Sequence, residues 1–457
     1  MADEKVKMPR GIPYIIGNEL SERFSYYGMK TILVVFMTKY LMTHGGMPDH
    51  MNDNEAKEWY HLFTMANYFF PILGAFVADI FWGKYKTIML LSIVYVLGHA
   101  ALAIDDTRIG LSIGLTLIAI GSGGIKPCVS AHVGDQFEEK NKKLIDKIFS
   151  YFYFAINFGS FFSTLLIPVV LDKYGPHLAF GIPGILMLIA TIVFYRGHKV
   201  YIAIPARGWK EYKKDIFSPE GKKAIKSLSY LYLFIAMFWA LYDQTGSSWV
   251  LQADKMDTTV NLGFVKFELL ASQIQAINPI LVMIFIPIFT YFIYPWIDKI
   301  YKLTPIRKII IGLFLAAGSF VLIAMAEALL QTGVHVGIIW QFWAYVIITA
   351  AEVMVSITGL EFSYTQSPNS MKSFVMGLWL LAVSVGNGFT ALINGLIGEP
   401  GQGSILDGAA YFWFFAGLML LTAIVFAFVA SKYKEESYIQ NREDYSAGEL
   451  NPTLVEN

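Results

Sequence analysis

The sequence predicts an all-α polytopic membrane protein of two six-helix bundles. Three observations predict it: an excess of apolar residues, repeated apolar runs long enough to cross a bilayer, and one long basic stretch that divides those runs into two sets. Of 457 residues, 55% are hydrophobic and only 15% charged, a mixture that would leave far too much apolar surface in water. Runs such as Ile274–Tyr294 and Tyr411–Val429 match the roughly 20 residues needed to span a hydrocarbon core of about 30 Å. Hydropathy places the first six spans near 11–42, 55–82, 86–103, 109–133, 146–171 and 178–196. The second six fall near 228–252, 269–297, 306–328, 335–366, 373–398 and 408–432. Between the sets, Arg196 to Lys226 holds Pro205, Gly208, Pro219 and nine Lys or Arg, and reads as a solvated linker without further helices. The predicted units are therefore a first bundle over 1–196, a cytoplasmic linker over 197–227, a second bundle over 228–432 and a cytoplasmic tail over 433–457.

Charge placement gives the orientation. With both termini in the cytoplasm, the outer side takes only Lys39, Lys57, Arg108, Lys173, Lys255 and Lys266 of the 35 Lys and Arg, and most of the rest lie inside. The equal count of 35 Asp and Glu leaves no global field, which excludes nucleic acid as a partner. A single cysteine, Cys128, excludes an internal disulfide and reads as a packing residue. No metal-binding or hydrolase motif such as H-E-x-x-H, G-x-S-x-G or G-x-x-x-x-G-K-[ST] occurs, so the chain does not read as an enzyme and no metal or organic cofactor is expected. The N-terminus shows no cleaved signal peptide, and no Asn-x-Ser/Thr acceptor occurs once Asn451-Pro452-Thr453 is set aside. A multi-pass protein of a bacterial inner membrane, monomeric in the bilayer, is the expectation.

An internal repeat points to the architecture. PILGAFVADIFWGKYKT after the second span has a degenerate counterpart, PIFTYFIYPWIDKIYKLTPIRK, after the eighth. Equivalent loops in two six-helix halves imply parallel repeats, the major facilitator arrangement, with the substrate site between the halves near the bilayer midplane. Gly74, Asp79, Gly83, Lys84 and Thr87 in the first copy fit that superfamily's loop signature; a simple cytoplasmic turn is the alternative reading.

Seven ionisable residues fall inside spans: Glu19, Glu22, Arg23, Lys30, Lys126, Asp243 and Glu352. Each costs about 3 kcal/mol or more at the bilayer centre and persists where it faces a cavity or a partner. Glu19, Glu22, Arg23, Tyr26 and Lys30 share one stripe of the first helix. Two readings stand: a buried ion-pair network that holds helices together, or a binding and proton site. Four carboxylates against three cations leave one carboxylate without a partner, which makes it a candidate proton carrier. Lys30 and Asp243 lie at similar depth in outward-running spans, so they can meet as an outer gate or as a static pair. His61 divides evenly between a helix-packing residue and a proton site.

The segment GNELSERFSYYG (Gly17 to Gly28) resembles the ExxERFxYYG signature of proton-dependent oligopeptide transporters. The resemblance extends over YHLFTMANYFFPILGAFVADIFWGKYKT, GSGGIKPCVSAHVGDQF, FSYFYFAINFGSF, FWALYDQTGSSW and AEVMVSITGLEFSYTQSPNSMKSFVMGLWLLAVSVGN, nearly the whole chain. His61 and the wording of the tenth and eleventh spans resemble the animal members. The chain departs from many bacterial members, which carry two extra helices between the bundles. It also lacks the large outer insertion that animal members have before the tenth span. At Lys30 the family often has arginine, whose bidentate fork a lysine lacks.

The resemblance implies proton-coupled symport of di- and tripeptides by alternating access, with the proton as coupling ion. It implies that Arg23 and Lys126 lie near the peptide carboxyl end and Glu352 near the amino end. Tyr26, Tyr27, Tyr68, Asn157, Asn278 and Trp379 then contact backbone and side chains, Lys30 lies at the site and the gate, and Glu19, Glu22, Arg23, His61 and Asp243 couple the proton. Without the resemblance, the tyrosines and Trp379 read more readily as packing or interface belt. Another small solute such as nitrate or a peptide-like drug, or a peptide sensor without flux, are the alternative functions. Lys126 with Glu352 favours peptides, because an inorganic anion has no use for a carboxylate at the amino end.

Overall fold

The computed structural model describes residues 8–137, 144–202, 204–206, 208–261, 263, 266–366, 372–397 and 406–430. The expected tail over 433–457 lies outside the described residues. Among the described residues, eleven helices are long and apolar enough to cross a membrane. The remaining span, α1 (Ile12–Lys39), has 28 residues, about 42 Å at 1.5 Å per residue, but carries Glu19, Glu22, Arg23 and Lys30 within that length.

The first bundle continues with α2 (Asp53–Val77), α3 (Lys84–Ile104), α4 (Arg108–Asp135), α5 (Ile145–Tyr174) and α6 (Pro176–Arg196). The second bundle has α8 (Pro219–Tyr242), α9 (Ser248–Ala253), α10 (Ile277–Ile288), α11 (Tyr294–Ile300), α12 (Pro305–Gln331), α13 (Ile339–Glu352), α14 (Thr358–Thr365), α15 (Lys372–Ile397) and α16 (Ala409–Ala430). Six spans result, because α8 runs through a 3-10 turn at Asp243–Gly246 into α9, while π turns join α10 to α11 and α13 to α14. A short antiparallel pair, β1 (Thr259–Asn261) and β2 (Lys266–Glu268), sits in the loop after α9. Polar caps start several helices: the Asn52 side chain accepts from Asn54 N and Glu55 N, and Thr304 precedes Pro305 at the first turn of α12.

The described residues form two large buried clusters and a small third one of Phe289, Val353 and Met354. One large cluster gathers residues of α1 to α6, with only Val250 and Leu251 reaching in from α9; the other is drawn from the second half. Between them α2 packs on α15, α5 on α10, and α1 on α9. The sequence repeat has a structural counterpart: its first copy contains a π turn at Ala78–Trp82, its second a π turn at Phe289–Ile293. In the loop after the first, Gly83 takes φ +74° and Thr87 Oγ1 donates to its carbonyl at 2.9 Å. Lys84 Nζ meets Asp135 Oδ2 at 2.7 Å, tying the start of α3 to the end of α4. A Cβ on Gly74 would collide with the backbone of Gly123, so this glycine is what lets α2 and α4 touch.

The linker corrects one expectation. It contains a helix, α7 (Trp209–Ile216), and α8 begins at Pro219, about nine residues before the apolar run expected from 228. Ser218 Oγ accepts from Gly221 N at 2.9 Å with Pro219 at the first helical position, so a capped polar turn carrying Lys222, Lys223 and Lys226 precedes the apolar part. Upstream, the Gln136 amide clasps the backbone of Ile202, accepting from its N at 2.9 Å and donating to its O at 3.1 Å.

Candidate functional site

Helices from both bundles enclose a cavity of about 220 Å³. The first bundle lines it with Tyr27, Lys30 and Thr31 of α1, Tyr60 and Tyr68 of α2, and Tyr153, Asn157, Ser160 and Thr164 of α5. The second contributes Trp239, Tyr242, Asp243, Thr245, Gln275, Asn278, Tyr345 and Glu352. The walls are polar and aromatic. Glu352 accepts a hydrogen bond from Asn278 Nδ2 at 2.7 Å, and that amide also reaches Thr349 Oγ1 at 3.1 Å. Glu352 is the last residue of α13 before the π turn Val353–Ile357, an irregularity often found where a functional side chain must be re-aimed.

At the end of the cavity nearest the α1–α2 loop, the bundles are joined by a polar chain. Lys30 Nζ donates to Asp243 Oδ1 at 2.8 Å, and Asn387 Nδ2 donates to Asp243 Oδ2 at 2.7 Å. Asn387 Oδ1 lies 2.8 Å from His61 Nδ1, and His61 Nε2 lies 2.9 Å from Ser247 Oγ. Because the Asn387 amide nitrogen is committed to Asp243, its oxygen must accept, which places a proton on His61 Nδ1. The 3-10 turn that opens at Asp243 interrupts the regular ladder, and Tyr345 Oη donates to the Thr245 carbonyl at 3.1 Å. Further toward that end, Lys39 meets Asp254 at 2.6 Å and Lys255 meets Asp53 at 3.6 Å.

The stripe on α1 splits in two. Lys30 and Tyr27 reach the cavity, whereas Glu19 and Glu22 are buried inside the first bundle. Arg23 Nε donates to Glu19 Oε1 at 2.7 Å and stands 3.3 Å from Glu22 Oε2. Lys126 Nζ sits over the rings of Tyr26 at 4.0 Å and Tyr68 at 4.4 Å, behind the tyrosine wall. Tyr26 is fully buried and accepts from Asn67 Nδ2 at 2.9 Å. Trp379 is buried against Tyr232, its ring filling the space beside Gly359. Of the residues expected at the site, Tyr27, Lys30, Tyr68, Asn157, Asp243, Asn278 and Glu352 therefore line one cavity. Tyr26 and Lys126 lie behind the tyrosine wall, and Arg23, Trp379, Glu19, Glu22 and His61 do not line the cavity.

Sequence reasoning passed over Tyr60, Tyr153, Tyr242, Tyr345, Gln275 and Asn387. A signal existed for some: Tyr153 and Asn157 are one helical turn apart in FSYFYFAINFGSF, and Tyr242 immediately precedes Asp243.

Comparison with known proteins gives a consistent picture. The sequence profile described as POT family matches residues 85–214 and 209–414. Solute carrier family 15 member 2 of Homo sapiens is 39% identical over 369 residues, which cover 70% of this chain and 49% of that protein. Peptide transporter family 1 of Drosophila melanogaster is 38% identical over 376 residues, 72% of this chain and 49% of the relative. The chain thus spans about half the length of the curated relatives it matches. Among solved structures, an auto-inhibited POT family peptide transporter superposes with a TM-score of 0.85 at 34% identity, covering 95% of this chain and 99% of that one. The POT family transporter PepTSo gives 0.83 at 36% identity, with 93% and 99% covered.

Proposed function

The chain belongs to the POT family, and on that premise we propose that it is a proton-coupled carrier that takes up di- and tripeptides across a cell membrane by alternating access, with both termini in the cytoplasm. The observation that carries this reading is the bipolar cavity shared by the two bundles, with Lys30 contributed by one and Asp243 and Glu352 by the other. A short peptide is a zwitterion of matching polarity. Glu352, held by Asn278, receives the ammonium group, and tyrosines and amides tolerate varied side chains between the charged ends. Arg23, and Lys126 from behind the tyrosine wall, act on the carboxyl end.

Coupling follows from charge balance. Glu19 and Glu22 neutralise Arg23 and Lys126 in the buried part of the first bundle, so an arriving peptide carboxylate adds one uncompensated negative charge. One proton on Glu19 or Glu22 restores neutrality in a region where a net charge is costly. The chain Lys30–Asp243–Asn387–His61 holds the outer side closed, and protonation of Asp243 or His61 from outside loosens it. The test is uptake of a labelled dipeptide into proteoliposomes under an imposed pH gradient. Competition by tripeptides but not by free amino acids or nitrate supports the reading; gradient-independent uptake, or competition by nitrate, refutes it.

A further inference from the structure

α1, α3 and α4 each carry buried polar side chains that do not line the peptide cavity. Five groups there have no hydrogen-bond partner among the described residues: both side-chain atoms of Asn18, both Glu22 oxygens, Tyr95 Oη, Ser122 Oγ and Lys126 Nζ. Asn18, Glu22, Tyr95 and Ser122 are all fully buried. Asn18 precedes Glu22 by one helical turn, on the same face of α1. Tyr95 is held against α4 across Gly121, next to Ser122, and its hydroxyl lies within reach of the Glu22 charge. Glu22 also acts on Lys126. Ser122 and Lys126 are likewise one turn apart on α4. Buried polar groups without a hydrogen-bond partner on neighbouring helices are the setting in which buried water is retained, each molecule satisfying two to four of them.

We propose that Asn18, Tyr95, Ser122 and Lys126 form an ordered-water site against Glu22, and that Tyr95 is the positioning residue through which Glu22 passes its proton to that water rather than through the peptide cavity. This rests on the carrier reading above. The Glu22 carboxylic acid gives its proton to a site water, which hands it on toward the N-terminal end of α1 where Asn18 lies. The carboxylate left behind accepts the Tyr95 O–H and is held in its charged form. The ionisable groups that face Glu22 are Glu19, Arg23 and Tyr27 on its own helix, Tyr95 on α3 and Lys126 on α4. α2 meets α1 here through Asn67 and Phe63, α5 through Gly159, Ser163 and Thr164, and α6 through Pro183, none of them ionisable.

The test uses full-length protein in liposomes with Tyr95→Phe, which keeps the ring, and Ser122→Ala as an independent variant. A hydroxyl that donates to a carboxylate favours the charged form, so its removal makes proton release harder. The internal pH for half-maximal gradient-driven uptake should rise by about one unit in Tyr95→Phe. The KM for dipeptide counterflow without a gradient should stay within about twofold of the parent value. Infrared spectroscopy supplies a readout independent of transport: the protonated carboxyl band that disappears in Glu22→Gln should move in Tyr95→Phe and in Ser122→Ala, and should shift on exchange into heavy water. An unmoved pH profile together with an unmoved carboxyl band overturns the proposal. A parent protein without counterflow refutes the carrier reading instead, and the band then decides the water site by itself.

Discussion

Replacing Asp243 by asparagine isolates the energetic weight of the Lys30–Asp243 pair, which joins the two bundles at one end of the cavity. The Lys30 and Asp243 side chains are only 11% and 6% exposed, so solvent and salt screen their attraction weakly. Leaving a buried cation without its partner costs about 3–5 kcal/mol. Asparagine retains one acceptor oxygen for Lys30, which argues for the lower end, about 3 kcal/mol. The loss falls only on the state in which the two residues meet, because in the opened state both groups face water. At about 1.4 kcal/mol per tenfold change, the ratio of closed to open states should fall roughly a hundredfold. The assay is maleimide labelling of a cysteine at Leu251, a residue of α9 that reaches into the core of the first bundle in this closed arrangement, on a Cys128→Ala background. Labelling should accelerate sharply in Asp243→Asn, and the swap Lys30→Asp with Asp243→Lys should restore part of the protection. Unchanged labelling in Asp243→Asn would show that the pair is static and that closure is held elsewhere.

Other outcomes follow from the same geometry. Glu22→Gln should abolish uphill peptide accumulation while leaving exchange measurable; undiminished accumulation under a pH gradient removes Glu22 from coupling. Glu352→Ala should weaken dipeptide binding by about tenfold to a hundredfold, since it deletes the charged partner of the ammonium group and frees Asn278; calorimetric or thermal-shift titration checks it, and near-parental affinity refutes the role. Gly74→Val should lower the melting temperature by several degrees, because its side chain meets the backbone of Gly123, not a movable side chain; a melting point equal to that of the parent contradicts the close approach of α2 and α4.

The twelve spans were legible because apolar runs of membrane length carry their own signal. Depth along the first and seventh spans also brought Lys30 and Asp243 to one level, and they stand 2.8 Å apart. Rotation about helix axes was not legible. Nothing in the sequence tells that Lys126 sits behind Tyr26 and Tyr68, because that depends on how α4 turns against α1 and α2. With aromatics at 16% of the chain, Tyr60 and Tyr345 could not be separated from packing residues by type alone. The early start of α8 was written in Ser218-Pro219, a local capping signal that a hydropathy window averages away.

The π turns bear on how the two faces of a span are assigned. A wide turn takes in one residue more than a regular one, so the helical phase advances by about 100° across it. In the tenth span the step lies at Val353–Ile357, directly after Glu352. A wheel drawn from Ile339 and continued without interruption would assign wrong neighbours to every residue from Thr358 onward. The same arithmetic makes this span tolerant of a length change that a uniform helix cannot absorb. Deleting one residue between Val353 and Ile357 would turn the wide turn into a regular one, and the half that carries Glu352 and the half that carries Ser363 would keep their present bearings. The same deletion within the regular turns of Ile339–Glu352 would swing one half by about 100° relative to the other and carry Glu352 out of the cavity.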